Sequence, residues 1–193
     1  MRFILYLSLL MSSASLIAQV DQTLSARLIK MAEQSQEIQQ NLKQYSAKKA
    51  PKALTLIASE IDKLHSQTLV EMVKLHGWPN QQLVGKQGVL AAFELVKHSS
   101  NLSFQQNMLP LVLQSYLDQE GLAGQEVAEL TDNVYIKQGK KQVFGTQADW
   151  LNGQVVFLPI ENEESLDQLR AQMGLPPLAE YKKSLEEFYA PQG

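Results

Sequence analysis

Few residues in this chain have the type and spacing to do chemistry, and the most telling set is dispersed: His98, Gln105, Asp132, Thr146 and Gln147. An imidazole near a helix end titrates close to neutrality and can donate, accept or shuttle a proton. With His98 as general base, Asp132 as its orienter and Thr146 or a bound water as nucleophile, the set would form a hydrolase-type site. The same residues, with Trp78 as a wall, would equally line a pocket for a small polar molecule or a peptide. Each also has a plain structural reading. His98 follows Glu94 by four residues, the spacing of a helical pair. His76-Gly77-Trp78-Pro79 reads as a helix terminus, with Gly77 just past the end and Pro79 unable to continue, and Trp78 then needs a partner for its indole N–H if buried.

Other chemistries lack their residues. His65 and His76 lie about 16 Å apart along one helix at 1.5 Å per residue, no His-Glu-x-x-His pattern exists and cysteine is absent, so no metal site is expected. Ser46-Ala47-Lys48-Lys49 matches Ser-x-x-Lys formally, but it sits at a polar helix end without the companion Ser-Asp-Asn and Lys-Thr-Gly elements, and we read it as coincidence. There is no Gly-x-Ser-x-Gly elbow and no phosphate-cradling glycine loop, and no cofactor is expected.

The elements that must position these residues are mostly helical. Leu24, Leu28, Met31, Ser35, Ile38, Leu42 and Tyr45 recur at alternating steps of four and three, the seam of an amphipathic helix with Asp21 as its N-cap. Leu54, Ile57, Ile61, Leu64, Thr68, Met72 and Leu75 form a second stripe after Pro51. The pair predicts an N-terminal antiparallel helical hairpin, while the regular heptads of the first helix also suit a homodimer formed through the N-terminal helices. A helix over about 86–98 is apolar nearly all round and should be central and buried. Asn101 caps a helix through Phe104, Met108 and Leu117, with Pro110 kinking or interrupting it and Gly121 and Gly124 ending it.

After a short helix at 125–131 the pattern changes. Segments 134–136 and 142–144 around Gln138-Gly139-Lys140 read as a hairpin, with 154–158 a third strand after Asn152-Gly153. Asn162 suits the N-cap of a helix through Leu166, Leu169 and Met173, ended by Gly174; Pro176-Pro177 then precedes a last amphipathic helix with Leu178, Tyr181, Leu185 and Phe188. The expected fold class is mainly α with a small antiparallel β-hairpin or three-stranded sheet, in a single mostly helical domain over 19–193.

Residues 1–18 read as an address. Arg2, the apolar run Phe3 to Met11 and the small residues around Ser12-Ser13-Ala14-Ser15 and Ala18 have the three parts of a secretory signal, and the apolar run is too short for a spanning helix. Cleavage after Ala18 places Leu16 where a small residue is preferred, so cuts after Ala14 or Ser15 stay open. The expectation is an exported chain, periplasmic or secreted, with no stable membrane anchor after signal removal. Zero cysteine then excludes both a disulfide framework and a lipidated cysteine, so the fold must rest on its core. The net charge of −3 and the lack of any basic block beyond Lys48-Lys49 and Lys140-Lys141 leave no footprint for nucleic acid.

Between Leu75 and Gln147 the chain strings together His76-Gly77-Trp78-Pro79, Val84-Gly85, an apolar helix ending at His98, Phe104-Gln105, Leu109-Pro110, Thr131-Asp132 and Phe144-Gly145-Thr146-Gln147. This set resembles the bacterial domain-of-unknown-function family 6624. The resemblance runs from about Met31 to Tyr181 and is strongest at Gly77-Trp78-Pro79, His98, Gly145-Thr146-Gln147 and a final stretch containing Arg170 and Gly174-Leu175. It implies a fold unit and a site, adds Arg170 to the ligand-binding set, and implies no reaction. The chain departs from the family pattern at Ser35 and Gln39, where Asp and Arg are usual, at Lys97-His98-Ser99-Ser100 in place of Gln-His-Ala-Asp, and at Asn133 and Leu169, where arginines are usual. Two readings from different classes follow: a non-catalytic ligand-binding or interaction module, or a hydrolase-type enzyme using His98.

Overall fold

The computed structural model describes residues 20–45 and 49–189; the expected leader and residues 46–48 lie outside the described residues. Among the described residues seven helices and two strands follow in order: α1 (Gln22–Lys43), α2 (Lys52–His76), α3 (Gln81–His98), α4 (Leu102–Leu117), α5 (Gly124–Lys137), β1 (Ala148–Leu151), β2 (Gln154–Phe157), α6 (Leu166–Gln172) and α7 (Leu178–Tyr189). The fold is mainly helical with a two-stranded antiparallel sheet. Among the described residues no helix is long and apolar enough to cross a membrane.

Local chemistry sets several helix ends as the sequence predicts. The Asp21 and Asn101 side chains accept the backbone N–H of Leu24 and Phe104 at 2.9 and 3.1 Å, closing the first turns of α1 and α4. Asn80 does the same for Leu83 in α3 at 2.8 Å. Gly85, with φ of +70°, breaks the helical path inside α3, so that the regular helix beyond it covers the expected 86–98. Pro110 lies inside α4 without ending it, and α4 stops at Leu117, short of Gly121 and Gly124; Gly124 instead opens α5.

The core is built around α3. Val89, Ala92, Phe93 and Val96 are buried on one of its faces and Ala91 and Leu95 on the other, and α1, α2, α4 and α5 contribute Leu28, Leu69, Val112 and Val134 to the same cluster. The N-terminal helices form the expected hairpin, but α1 makes its most extensive contact with α3 rather than with α2. Two hydrogen bonds fasten that pairing: Asp21 N donates to Leu83 O at 2.7 Å, and the Ser25 hydroxyl donates to Val84 O at 2.7 Å beside the Gly85 break. The face of α2 is rotated from its apolar stripe. His65, Ser66, Thr68, Leu69 and Met72 are buried, whereas Ile57, Leu64 and Leu75 are 53%, 59% and 77% exposed. The polar residues win the interior because they meet hydrogen-bonding partners there, which the stripe rule does not count.

The expected hairpin at 134–144 is corrected. Val127, Leu130, Thr131 and Val134 recur at helical spacing and are buried together, so α5 runs on to Lys137 despite its β-branched and aromatic end. The hairpin lies later, where Asn152 and Gly153 both take positive φ (52° and 79°), the pair of left-handed conformations whose twist matches two antiparallel strands. The expected strand at 154–158 is β2, its partner is Ala148–Leu151, and the segment at 142 adds one parallel bridge, Gln142 to Ile160.

Leu28→Ala, at the fully buried α1–α3 contact, should lower stability by about 2–5 kcal/mol in urea unfolding, and Leu64→Ala on the exposed edge of α2 by less than about 0.5 kcal/mol. Equal losses would contradict the rotated face of α2.

Candidate functional site

The Gly145-Thr146-Gln147 turn leaves α5 and the following loop between two buried charges. Asp132 on α5 is fully buried and its two oxygens accept four hydrogen bonds: Val143 N and Phe144 N reach Oδ1 at 2.7 and 2.9 Å, while Thr146 N and the Thr146 hydroxyl reach Oδ2 at 2.9 and 2.8 Å. From the other side Arg170 on α6, also fully buried, donates from Nη1 to Phe144 O at 2.6 Å and from Nε to Pro176 O at 2.7 Å. Nη2 of Arg170 is buried with no hydrogen-bond partner. Burial pushes the guanidinium below its ordinary value, with Tyr181, Asp167 and Asp132 opposing; it stays charged throughout the biological range. Gly145 has φ of +65°, and a Cβ there would stand 3.0 Å from the Leu178 side chain, so any other residue would strain the backbone and crowd Leu178.

Gln142 extends the brace. Fully buried, it accepts Gln147 N at 2.8 Å through Oε1 and donates through Nε2 to Gln147 O and Leu158 O at 3.0 and 2.7 Å. Gln147 Nε2 in turn donates to Thr146 Oγ1 at 3.0 Å. Beside this fixed turn opens a cleft of about 280 Å³. Thr146, Gln147, Asp149 and Trp150 line one side, Tyr181 and Tyr189 of α7 the other. The Tyr181 ring lies 4.9 Å from the Arg170 guanidinium carbon and stacks on Phe157 at 6.1 Å, and its hydroxyl donates to Thr146 O at 3.3 Å. Burial raises the Tyr181 phenol above its ordinary value, reinforced by Glu129, so the ring stays neutral. Trp150 and Tyr189 meet at 5.7 Å across the outer end.

His98 stands elsewhere. Its Nε2 pairs with Glu94 Oε2 at 2.9 Å, the contact that holds the Glu94 carboxyl below its usual range, with burial opposing and Lys97 reinforcing. The histidine lines a crevice between α1, α2 and α3, shared with Ser35, Gln39, Asp62, His65 and Ser99, whose free space of about 20 Å³ holds no more than a water-sized molecule. Three of the positions read as departures from the family pattern, Ser35, Gln39 and Ser99, line this crevice. Ser35 Oγ is hydrogen-bonded to His65 Nδ1 at 2.8 Å, and Ser100 donates to Asp62 Oδ2 through both its N–H (2.8 Å) and its hydroxyl (2.5 Å). Among the described residues no hydrogen bond joins His98 to Asp132 or Thr146, and the orienting partner of His98 is Glu94.

The remaining sequence candidates are placed by the core. Gln105 is buried and caps the end of α3, donating to Val96 O and Lys97 O at 3.0 and 3.3 Å while accepting Lys137 Nζ at 3.3 Å. Trp78 packs half-buried against the core, and its indole N–H is buried without an acceptor. The structure thus brings Asp132, Thr146, Gln147 and Arg170 together, and leaves Trp78, His98 and Gln105 outside the cleft. Sequence reading missed Asp149, Trp150 and Tyr189; the signal that could have found the first two was Asn152-Gly153, the hairpin dipeptide immediately after them. Among the described residues no group of three or more His, Asp or Glu is placed to hold a metal ion.

A helical core carrying a short hairpin, with a braced turn and an aromatic cleft between hairpin and last helix, defines the class of molecule. Residues 22–192 match a family of unknown function, DUF6624, and the chain belongs to it. No curated protein and no solved structure matches it.

Asp132→Ala would strand the three backbone N–H groups it now satisfies, each costing about 1–3 kcal/mol when buried and unpaired, so unfolding measurements should show a loss of about 3 kcal/mol or more. A loss below 1 kcal/mol would show that the turn holds itself. For His65, burial lowers the imidazole below its ordinary value, with Asp62 opposing. The unfolded chain therefore takes up a proton first as pH falls below about 6.5, and stability drops from there down to the lower folded value. Melting temperature should fall between pH 7.5 and 5, and His65→Gln should flatten that fall; an unchanged slope would remove His65 as its source.

Proposed function

We propose that this protein is an exported binding or interaction module, and that its ligand, a small polar molecule or a peptide, occupies the cleft between the β1–β2 hairpin and α7. The observation that carries the reading is the pairing of an immobile polar turn with an aromatic wall. Thr146 and Gln147 are held by Asp132 and Gln142, so hydrogen-bonding groups stand fixed before a ligand arrives, while Trp150, Tyr181 and Tyr189 supply ring surface. Concave sites that combine apolar rings with a few positioned polar groups are where small ligands bind. Export is supported by the signal-like composition of residues 1–18.

The alternative, hydrolysis with His98 as base and Asp132 as orienter, draws no support from the geometry, since Glu94 takes the imidazole and the loop N–H groups take the carboxylate. The test is native mass spectrometry of the protein isolated from the periplasmic fraction of its own bacterium. A retained small molecule or peptide should be present in the unaltered chain and lost, with affinity lowered about tenfold or more, in Trp150→Ala and Tyr189→Ala, whose side chains are exposed enough to leave folding intact. Retention unaffected by both substitutions would move the site elsewhere. The intact mass in the same experiment should correspond to a chain cut after Ala14, Ser15 or Ala18; a mass that includes the whole segment from Met1 would argue against export.

A further inference from the structure

The register of the hairpin decides which backbone groups are unpaired. The two-residue Asn152-Gly153 loop makes Leu151↔Gln154 the closing hydrogen-bonded pair, so that Asp149↔Val156 is hydrogen-bonded while Trp150↔Val155 and Ala148↔Phe157 are not. Leu158 N donates to Gln147 O at 3.1 Å, continuing the same alternation. The N–H and C=O of Ala148 and Trp150 consequently point away from β2, along the outer edge of β1. The outer edge of β2 is closed farther along by Gln142, whose N–H donates to Pro159 O and whose C=O accepts Glu161 N, both at 2.9 Å. Among the described residues nothing comparable covers β1. It also lacks the lysine, proline or bulge that commonly protects an edge.

We propose that the outer edge of β1 docks an extended peptide carrying a basic residue, which adds as a third strand along Ala148–Trp150 and seats a side chain in the cleft beside Trp150 and Tyr189. The inference rests on the cleft reading above and names its ligand class. Edge groups on residues two apart repeat at about 6.7 Å, a spacing that another extended backbone matches along its whole length. The charge requirement comes from Asp149, whose exposed side chain stands at the middle of that edge on the sheet face opposite Trp150, where it meets the peptide residue paired with it. It also disfavours a second copy of the chain as occupant. Antiparallel pairing of two β1 edges through Ala148 and Trp150 would set the two Asp149 carboxylates directly opposite one another, and like charges in that position are destabilising. A peptide with lysine or arginine there replaces repulsion by attraction.

The probe is an equimolar pool of acetylated, amidated hexapeptides randomised over Val, Ile, Thr, Phe and Lys, added to isotope-labelled protein and followed by amide hydrogen exchange. The Ala148 and Trp150 amides should slow at least tenfold. The same pool with Glu replacing Lys should bind at least fivefold more weakly, and a pool N-methylated at alternate amides should give no protection. Ala148→Pro removes one edge N–H outside the β1–β2 ladder and should abolish pool binding; if that variant fails to fold, the N-methylated pool decides. Protection by the N-methylated pool equal to that by the parent, no protection by any pool, or concentration-dependent protection without peptide, the mark of a second copy on the edge, would each overturn the proposal. Failure of every pool while Trp150→Ala still loses a retained small molecule would overturn the peptide and leave the cleft standing. Loss of neither would remove both.

Discussion

One loop held between two buried opposite charges organises the C-terminal half of this protein. Asp132 collects N–H groups from Val143, Phe144 and Thr146, and Arg170 donates to the carbonyls of Phe144 and Pro176, so the turn spends its backbone polarity inward on ionised side chains. Neither charge is exposed, and each would be costly in an apolar interior without such partners. Charge-assisted hydrogen bonds to backbone groups are about twice as strong as neutral ones, and they fix direction as well as distance. The arrangement joins three elements distant in the chain: α5 through Asp132, the loop before β1, and α6 through Arg170.

The cleft follows from that constraint. With Thr146 and Gln147 immobilised, β1 leaves the turn in a set direction and presents Ala148 and Trp150 toward α7. That helix is anchored lightly by comparison. It has no fully buried residue, and its attachments are the stacking of Tyr181 between Arg170 and Phe157, the Tyr181 hydroxyl on Thr146 O, and Leu178 N on Asp167 Oδ1 at 2.8 Å. A rigid wall thus faces a loosely held one. Elements with few buried contacts are the ones that open at least cost, and a ligand entering here would displace α7 rather than the turn.

The helical half and the site were legible in the sequence to different degrees. Caps at Asp21 and Asn101, the buried helix ending at His98, and the final helix from Leu178 were read from short-range rules, because each depends on residues within one or two turns of the chain. The hairpin was misplaced because the β-branched and aromatic content of 134–144 outweighed the helical spacing of Val127, Leu130, Thr131 and Val134 in that reading. The face of α2 was rotated because a stripe of apolar residues says nothing about Ser35, Ser66 and Ser99, which draw His65 and Asp62 inward by hydrogen bonding. Asp132, Thr146 and Gln147 stand out in the sequence by residue type, and Arg170 through the family resemblance. The partners that turn Asp132 and Arg170 into braces lie up to 26 residues away.

The sequence by itself determined the helical class, several helix caps and the absence of disulfide or cysteine chemistry, since composition, periodicity and capping act locally. Only the tertiary structure decided that His98 belongs to a closed seam with His65, that Asp132 and Arg170 hold a loop, and that Trp150 and Tyr189 share a cleft. Those outcomes depend on which distant segments pack together. A buried charge takes its meaning from the partners that surround it, and no spacing along the chain specifies them.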